Sequence, residues 1–171
     1  IALSSCSSQS PHPHTVRVGT IAGPETELMQ VAANVAKKRY GLTVDITTFS
    51  NYIIPNQALN DGDIDANAFQ HFPYLKAQNK ARGFNLVSVG KTLLYPMGLY
   101  SHKITQLSQL TQGAKVAIPN DPSNEARALL LLQQVKLITL KPHSGSLAAV
   151  TDIKGNPKQL DIMTLSASQL P

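Results

Sequence analysis

The sequence is poor in cysteine and in long apolar runs, and each shortage excludes a class of structure. Cys6 is the only cysteine, which excludes an internal disulfide and a zinc cage of several cysteines. No apolar run approaches the ~20 residues that cross a bilayer as a helix, so no membrane-spanning helix is predicted. We expect neither a metal ion nor a cofactor.

Charge is also sparse. The 171 residues carry a net charge of +5, and the basic residues are scattered except for the run at residues 37–39. That run is predicted to end a helix, where cations favour the helix dipole. A nucleic-acid surface needs a basic stripe with interleaved aromatic residues, and the sequence has neither. We therefore expect no nucleic-acid partner.

The N-terminal residues read Ile-Ala-Leu-Ser-Ser-Cys, which looks like the end of a bacterial lipoprotein signal peptide. In such a lipobox a leucine, here Leu3, is followed by two small residues and the acylated cysteine, here Cys6. A stray cysteine in a disordered terminus is the alternative. Residues 7–14 are rich in serine, proline and histidine, which is typical of a flexible tether and favours lipidation. We expect the beginning of the signal peptide to be absent from this sequence.

Residues 15–90 alternate predicted strands and helices, which indicates a parallel α/β sheet. Helix signals are clearest after Pro24, where acidic residues open the helix and Gly41 follows it. One face of this helix is predicted to be core, formed by Leu28, Ala32, Val35 and Ala36. Three aromatic residues are also assigned to core: Tyr40, Phe49 and Phe84. The other predicted elements are strands at 15–20, 44–49, 64–69 and 86–90 and helices at 55–60 and 71–82.

The pattern restarts after an apolar stretch at residues 93–100, which predicts a second α/β lobe entered through a crossover strand near 95–100. We therefore expect a tether at 1–14, a first lobe at 15–100 and a second lobe at 101–171. Within the second lobe we predict helices at 105–110 and 122–134 and strands at 115–119, 137–140 and 161–165. The second lobe has few strands, and a last helix only begins at 166, so we expect the C-terminal part to be missing.

Three segments place unusual side chains where a predicted strand gives way to a helix: residues 51–56, 67–74 and 118–127. In an open parallel sheet, ligands bind outside the carboxyl ends of the strands. Arg127 follows a predicted helix N-terminus and would suit a carboxylate. Aromatic faces would suit a thioether or methyl group, and three such residues are Tyr52, Phe69 and Tyr74. The residues thus favour a small zwitterion with an apolar tail.

Structural roles are open for the same residues. His71 would also serve as a helix cap or packing residue, and Arg127 would also pair with a surface carboxylate. Asn56 and Asn67 would also satisfy turns.

With these residues the chain resembles the NlpA-type methionine-binding lipoproteins, the extracytoplasmic receptors of the methionine ABC importer. The resemblance runs from about Val16 to the end and is carried by these stretches: 23–25, 51–56, 65–75, 86–90, 116–124, 127–132, 152–153, 156–157 and 169–171.

The resemblance implies a type II periplasmic-binding-protein fold, with two α/β lobes and the ligand cleft between them. It places four residues around the methionine side chain, namely Tyr52, Phe69, His71 and Tyr74. It places Asn124 and Arg127 on the backbone zwitterion, with Arg127 on the carboxylate, and one further asparagine contact beyond Pro171.

The implied partners are L- or D-methionine, or a related small amino acid, and the permease and ATPase subunits of the importer. The implied location is the extracytoplasmic (periplasmic) side of the bacterial envelope, through an anchor such as palmitate on Cys6. A methionine-containing dipeptide as ligand and a surface adhesin role are the alternatives. An enzyme is not expected, because the segments hold no Gly-x-Ser-x-Gly elbow and no acidic pair; Ser123 with His71 is the one pair to weigh.

Overall fold

A computed structural model describes residues 15–142 and 144–171 of the chain. The predicted lipidation at Cys6 and the tether at 1–14 lie outside these residues. The chain forms two compact units, whose sequence boundary lies between Phe69 and Gln70. No helix in the described ranges has both the length and the apolar character needed to cross a bilayer.

The first unit is a small parallel α/β sheet. Its elements are β1 (Thr15–Ile21), α1 (Pro24–Tyr40), β2 (Thr43–Phe49), α2 (Ile54–Asp61) and β3 (Ala66–Asn67). The strand order is β2-β1-β3, and β1 runs parallel to both neighbours. The predicted parallel sheet is thus present in this unit, although β3 is shorter than the strand predicted at 64–69.

Local signals set the bounds of α1. Pro24 occupies the first turn with Glu25 and Glu27, and basic residues fill the last turn, as the helix dipole favours. Gly41 then adopts a left-handed conformation at φ 66°, the conformation that glycine adopts at least cost. Its N–H donates to the Lys37 carbonyl at 3.1 Å.

The predicted core face of α1 is wrong. No residue of α1 is buried, and Leu28 and Val35 are exposed by 37% and 42%. Tyr40, also assigned to core, is 77% exposed. The physical reason is that α1 packs against β1 and the edge strand β2 of a three-stranded sheet, which covers little of the helix. Phe49 is half-buried, and the buried apolar residues of this unit are Val18, Ile21, Ala58 and Ile64.

The second unit contains two helices and two small sheets. The helices are α3 (Phe72–Arg82) and α4 (Pro122–Gln134). The strands are β4 (Lys115–Pro119), β5 (Thr139–Leu140), β6 (Ile153–Gly155) and β7 (Asp161–Leu165). β4 pairs with β7 in parallel, and β5 pairs with β6 in antiparallel fashion. Single 3-10 turns occur at Leu107–Gln109, Gly145–Leu147, Val150–Asp152 and Ala167–Gln169.

The second unit has the larger hydrophobic core. It surrounds Leu129 and Leu132, which are 0% and 1% exposed, and draws on β4, α4 and the segment after α4. Its other buried members are Val116, Ile118, Ala126, Ala128, Leu137, Ile138, Ala148 and Leu160. Phe84, assigned to core from the sequence, is also buried.

Two predicted strands are absent. Residues 86–90 and the expected crossover at 95–100 form neither a helix nor a strand, because a strand requires a hydrogen-bonded neighbour and none of the described strands pairs with them. The helix predicted at 105–110 is reduced to the 3-10 turn at Leu107–Gln109. The lobe boundary expected near residue 100 stays a prediction, while α3 groups with the second unit and packs against α4.

Candidate functional site

In the first unit, two aromatic side chains follow the carboxyl ends of the two strands that flank β1. Tyr52 comes shortly after β2 and Phe69 shortly after β3, and both strands run parallel to β1. Their ring centroids are 5.8 Å apart with an interplanar angle of 58°, a tilted pairing that aromatic quadrupoles favour. Both rings are half-buried, so this pair offers an apolar contact surface at the strand ends.

The asparagines around this pair have structural roles. Asn51 Oδ1 accepts from the backbone N–H groups of Ile53 and Ile54 at 2.9 and 3.0 Å, which stabilises the turn before α2. Asn67 Nδ2 donates to Asn56 Oδ1 at 2.9 Å and to the Pro55 carbonyl at 3.2 Å. Asn56 is fully buried, and its bond to Asn67 links α2 to the end of β3.

In the second unit, the residues after β4 build the N-terminus of α4. Asp121 is the N-cap residue, and its Oδ1 accepts from the Asn124 backbone N–H at 3.0 Å. Ser123 Oγ donates to the same oxygen at 2.7 Å. Pro122 occupies the first turn, where its missing N–H costs nothing. This local sequence places Asn124 and Arg127 one turn apart on α4.

Asn124 links Arg127 to α3. Its Oδ1 accepts from Arg127 Nη1 at 3.1 Å and lies 2.8 Å from His71 Nε2. His71 is the N-cap of α3, where its Nδ1 accepts from the Tyr74 backbone N–H at 3.1 Å. The capping role that the sequence left open for His71 is therefore present, and it coexists with the bond to Asn124.

Tyr74 lies deeper than the other residues expected at the site. Its ring meets the His71 ring edge-on at a centroid distance of 6.3 Å, and only 3% of the residue is exposed. Tyr74 therefore contributes packing beside His71. The structure brings together His71, Tyr74, Asn124 and Arg127 in the second unit, and Tyr52 with Phe69 in the first.

Arg127 carries a charge that no carboxylate neutralises among the described residues. The ion pairs there are Arg17–Asp65 and Lys141–Asp152. The nearby Glu125 carboxylate accepts from the Val150 backbone N–H at 2.9 Å instead. A half-buried guanidinium held by a neutral amide suits an incoming anion, and the surface ion pair weighed from the sequence is not formed in the described part of the chain.

Arg17 and Asp65 show what a neutralised pair looks like in this molecule. Arg17 Nη2 and Nε donate to the two Asp65 carboxylate oxygens at 2.7 and 3.1 Å. These side-chain bonds, with a further bond from the Arg17 backbone N–H, lower the pKa of Asp65 to about 2. The pair is exposed and ties the start of β1 to the chain before β3.

The second-unit group is suited to binding. Ser123 donates to Asp121, and His71 Nε2 faces an amide, so neither forms the nucleophile–base pair that covalent catalysis needs. No cluster of three or more histidine, cysteine, aspartate or glutamate residues in 15–142 and 144–171 is placed to hold a metal ion. Asp121 was not among the residues predicted for the site, although the Asp-Pro-Ser-Asn run is a readable N-cap signal.

Aromatic, amide and guanidinium groups beyond the carboxyl ends of parallel strands define an open-sheet α/β protein of the ligand-binding class. The family model of the NlpA lipoproteins matches residues 16–171, and the chain belongs to that family.

Relatives agree with this assignment. The D-methionine-binding lipoprotein MetQ of Salmonella typhimurium is 53% identical over 171 residues, which are 100% of this chain and 63% of that protein. A periplasmic substrate-binding protein of an ABC transporter from Coxiella burnetii is 64% identical with a TM-score of 0.86, over 91% of this chain and 65% of its own. A nutrient-binding protein from Burkholderia cenocepacia bound to methionine is 53% identical with a TM-score of 0.88, over 91% and 66%.

Two statements follow from these comparisons. The α/β fold expected from the sequence, that of the substrate-binding proteins of this type, is confirmed over the residues compared. The chain spans about 63% of the length of the curated relatives it matches.

Proposed function

We propose that this protein is the methionine-capturing, substrate-binding component of an ABC importer. The observation that carries the proposal is Arg127, whose guanidinium is oriented by Asn124 at the N-terminus of α4 and has no carboxylate partner among the described residues. The names of the relatives, which bind methionine or serve ABC transporters, support the same ligand and the same role.

The proposed contacts follow from the chemistry of each residue. Arg127 holds the ligand carboxylate, and Asn124 lies beside it to contact the zwitterion. A charge-assisted bond to a half-buried guanidinium contributes on the order of 1.5–3 kcal/mol. Four residues are proposed to surround the methionine side chain: Tyr52, Phe69, His71 and Tyr74. The sulfur–aromatic contacts would add about 0.3–1.5 kcal/mol.

The protein is proposed to bind without catalysis. His71 and Ser123 are each engaged by another residue, with His71 Nε2 on Asn124 and the Ser123 hydroxyl on Asp121. The relatives compared here carry the names of binding proteins.

The proposed location is the extracytoplasmic side of the cell envelope, with a lipid anchor on Cys6. The family and the MetQ relative are lipoproteins by name, and the lipobox-like sequence before Cys6 supports the same conclusion. The proposed partners are the permease and ATPase subunits, which would receive the loaded protein.

Isothermal titration tests the ligand. L-methionine, D-methionine, a methionine dipeptide and other amino acids would be titrated into protein expressed from the complete reading frame and freed of co-purified ligand. We expect a Kd of about 1 μM or tighter for methionine, and a rise of about a hundredfold in Arg127→Ala, which removes the carboxylate clamp.

Arg82→Ala is the matched control, because Arg82 is an exposed arginine in the last turn of α3. We expect it to bind as the unchanged protein does. Absence of heat with every amino acid would overturn the methionine proposal. A loss of affinity of equal size in both arginine variants would overturn the carboxylate clamp.

A further inference from the structure

One amide joins a carboxylate to two of the residues proposed to bind methionine. Asn124 Nδ2 lies 3.2 and 3.0 Å from the two oxygens of Asp121. Its Oδ1 lies 2.8 Å from His71 Nε2 and 3.1 Å from Arg127 Nη1. A primary amide has two N–H donors and one oxygen with two lone pairs. The two oxygens of one carboxylate lie too close together to take one N–H each, so a single N–H of the buried Asn124 amide points at Asp121. Both lone pairs of Oδ1 are used, and the second N–H takes part in none of these contacts, which leaves it for the ligand zwitterion.

The charged groups on either side fix which way this amide points. A carboxylate only accepts hydrogen bonds and a guanidinium only donates them. A flipped amide would set its oxygen against Asp121 and its NH2 group against Arg127, so both contacts would become repulsive. The orientation of Asn124 thus follows from the chemistry of Asp121 and Arg127.

The groups that face its two ring nitrogens determine the tautomer of His71. Its Nε2 faces the Asn124 oxygen, which is an acceptor, so Nε2 carries the proton. Its Nδ1 faces the backbone N–H of Tyr74, which only donates, so Nδ1 is the acceptor. His71 is therefore in the Nε2–H tautomer: the Tyr74 backbone N–H selects it, and the Asn124 oxygen, held in place by Asp121, accepts from Nε2.

We propose that Asp121 is a positioning residue for the ligand-binding group: through Asn124 it holds the oxygen that accepts from His71 Nε2 and from the Arg127 guanidinium. Its role in affinity rests on the proposed function, whereas its effect on the hydrogen bond between His71 and Asn124 does not require a ligand. Side chains that are already held in one arrangement lose less conformational freedom when the ligand binds, which raises the affinity.

Asp121→Asn separates this role from helix capping. Asparagine caps helices as well as aspartate does, so α4 is retained. The new amide nitrogen replaces the Asp121 oxygen that now accepts from Asn124 Nδ2 at 3.0 Å, so only the longer contact of 3.2 Å to the retained oxygen remains. We expect the Asn124 amide to be held less firmly, the 15N shift of His71 Nε2 to change as its hydrogen bond to Asn124 weakens, and the Kd for methionine to rise about tenfold.

The readouts are the imidazole 15N shifts of His71 without ligand, assigned with a His71→Gln variant, and titration of L-methionine. Ser123→Ala is the control, because it removes another hydrogen bond to the same carboxylate and leaves Asn124 Nδ2 in place. It should leave the His71 15N shifts and the Kd unchanged. If Asp121→Asn does not fold, Asp121→Ser keeps a capping oxygen and removes the second acceptor.

The outcomes distinguish the two proposals. An unchanged His71 15N pattern together with an unchanged Kd in the Asp121 variant would overturn the positioning role and leave Asp121 as a cap. A changed 15N shift of His71 Nε2 supports the positioning role even where the unchanged protein binds no methionine, and that second result would overturn the proposed function alone. An equal change in Ser123→Ala would also overturn the positioning role.

Discussion

Helices α1 and α4 begin with the same signals and differ in what they bury. Both have a proline in the first turn and an acidic residue nearby. Helix α4 buries Asn124, Ala126, Ala128, Leu129 and Leu132, whereas α1 buries no residue. Local sequence therefore decides where a helix starts and stops. The burial of its apolar face depends on the elements that surround it.

The difference extends to the residues proposed to bind the ligand. The buried face of α4 fixes the helix on the core of the second unit, and its N-terminus carries Asp121, Asn124 and Arg127. A binding group needs side chains held by packing and by hydrogen bonds around them, and α4 supplies both. Among the strands and helices of the first unit, the buried positions lie on β1 and α2 and not on α1.

The largest expected effect tests the two helices with one chemical change. Leu129→Ala removes a side chain that is 0% exposed and should lower the free energy of unfolding by about 2–5 kcal/mol, because a cavity remains. Leu28→Ala in α1 removes a side chain that is 37% exposed and should cost about 1 kcal/mol or less. Urea unfolding measures both variants, and equal losses would contradict the comparison.

The next largest effect tests the centre of the first unit. A Cβ at Gly19 would lie 2.7 Å from Ile64 Cδ1 and 2.8 Å from Phe49 Cε2, so β1 has no room for a methyl group. Gly19→Ala should cost about 1–3 kcal/mol through overpacking. Gly90→Ala is the control, since a Cβ there meets nothing within 4 Å. Thermal unfolding measures both variants. Equal stability of Gly19→Ala and the control would contradict close packing around β1.

Elements that rest on local chemistry could be predicted from the sequence. The helix predicted at 122–134 and the strand predicted at 161–165 have the bounds of α4 and β7. Proline, capping aspartate and period-two alternation lie within a few residues of each boundary. The strands predicted at 86–90 and 95–100 are absent, because pairing depends on a neighbouring strand that a local pattern cannot specify.

The candidate site divides in the same way. The sequence singled out His71, Asn124 and Arg127 because each lies where a predicted strand gives way to a helix. The bond between His71 and Asn124 joins residues 53 positions apart, and no local pattern contains it. The role of Asp121 depends on that distant bond, which is why the sequence pattern alone did not indicate it.

The smallest expected effect comes from an exposed ion pair. It compares a paired surface carboxylate of the first unit with one of the second unit that has no ion pair in the described part of the chain. In the first unit Arg17 lowers the pKa of Asp65 to about 2 from the ordinary 3.8. A carboxyl group whose pKa is lower in the folded state stabilises the fold above its unfolded pKa, and this contribution is lost as the pH falls toward 2. Asp65→Asn should therefore be modestly less stable at neutral pH, since exposed pairs contribute little, and the difference should shrink between pH 4 and pH 2.

Asp161→Asn in the second unit is the control, because Asp161 forms no ion pair among the described residues. Urea unfolding across this pH range measures both variants. A difference for Asp65→Asn that stays constant down to pH 2 would mean that its stabilising contribution is not electrostatic.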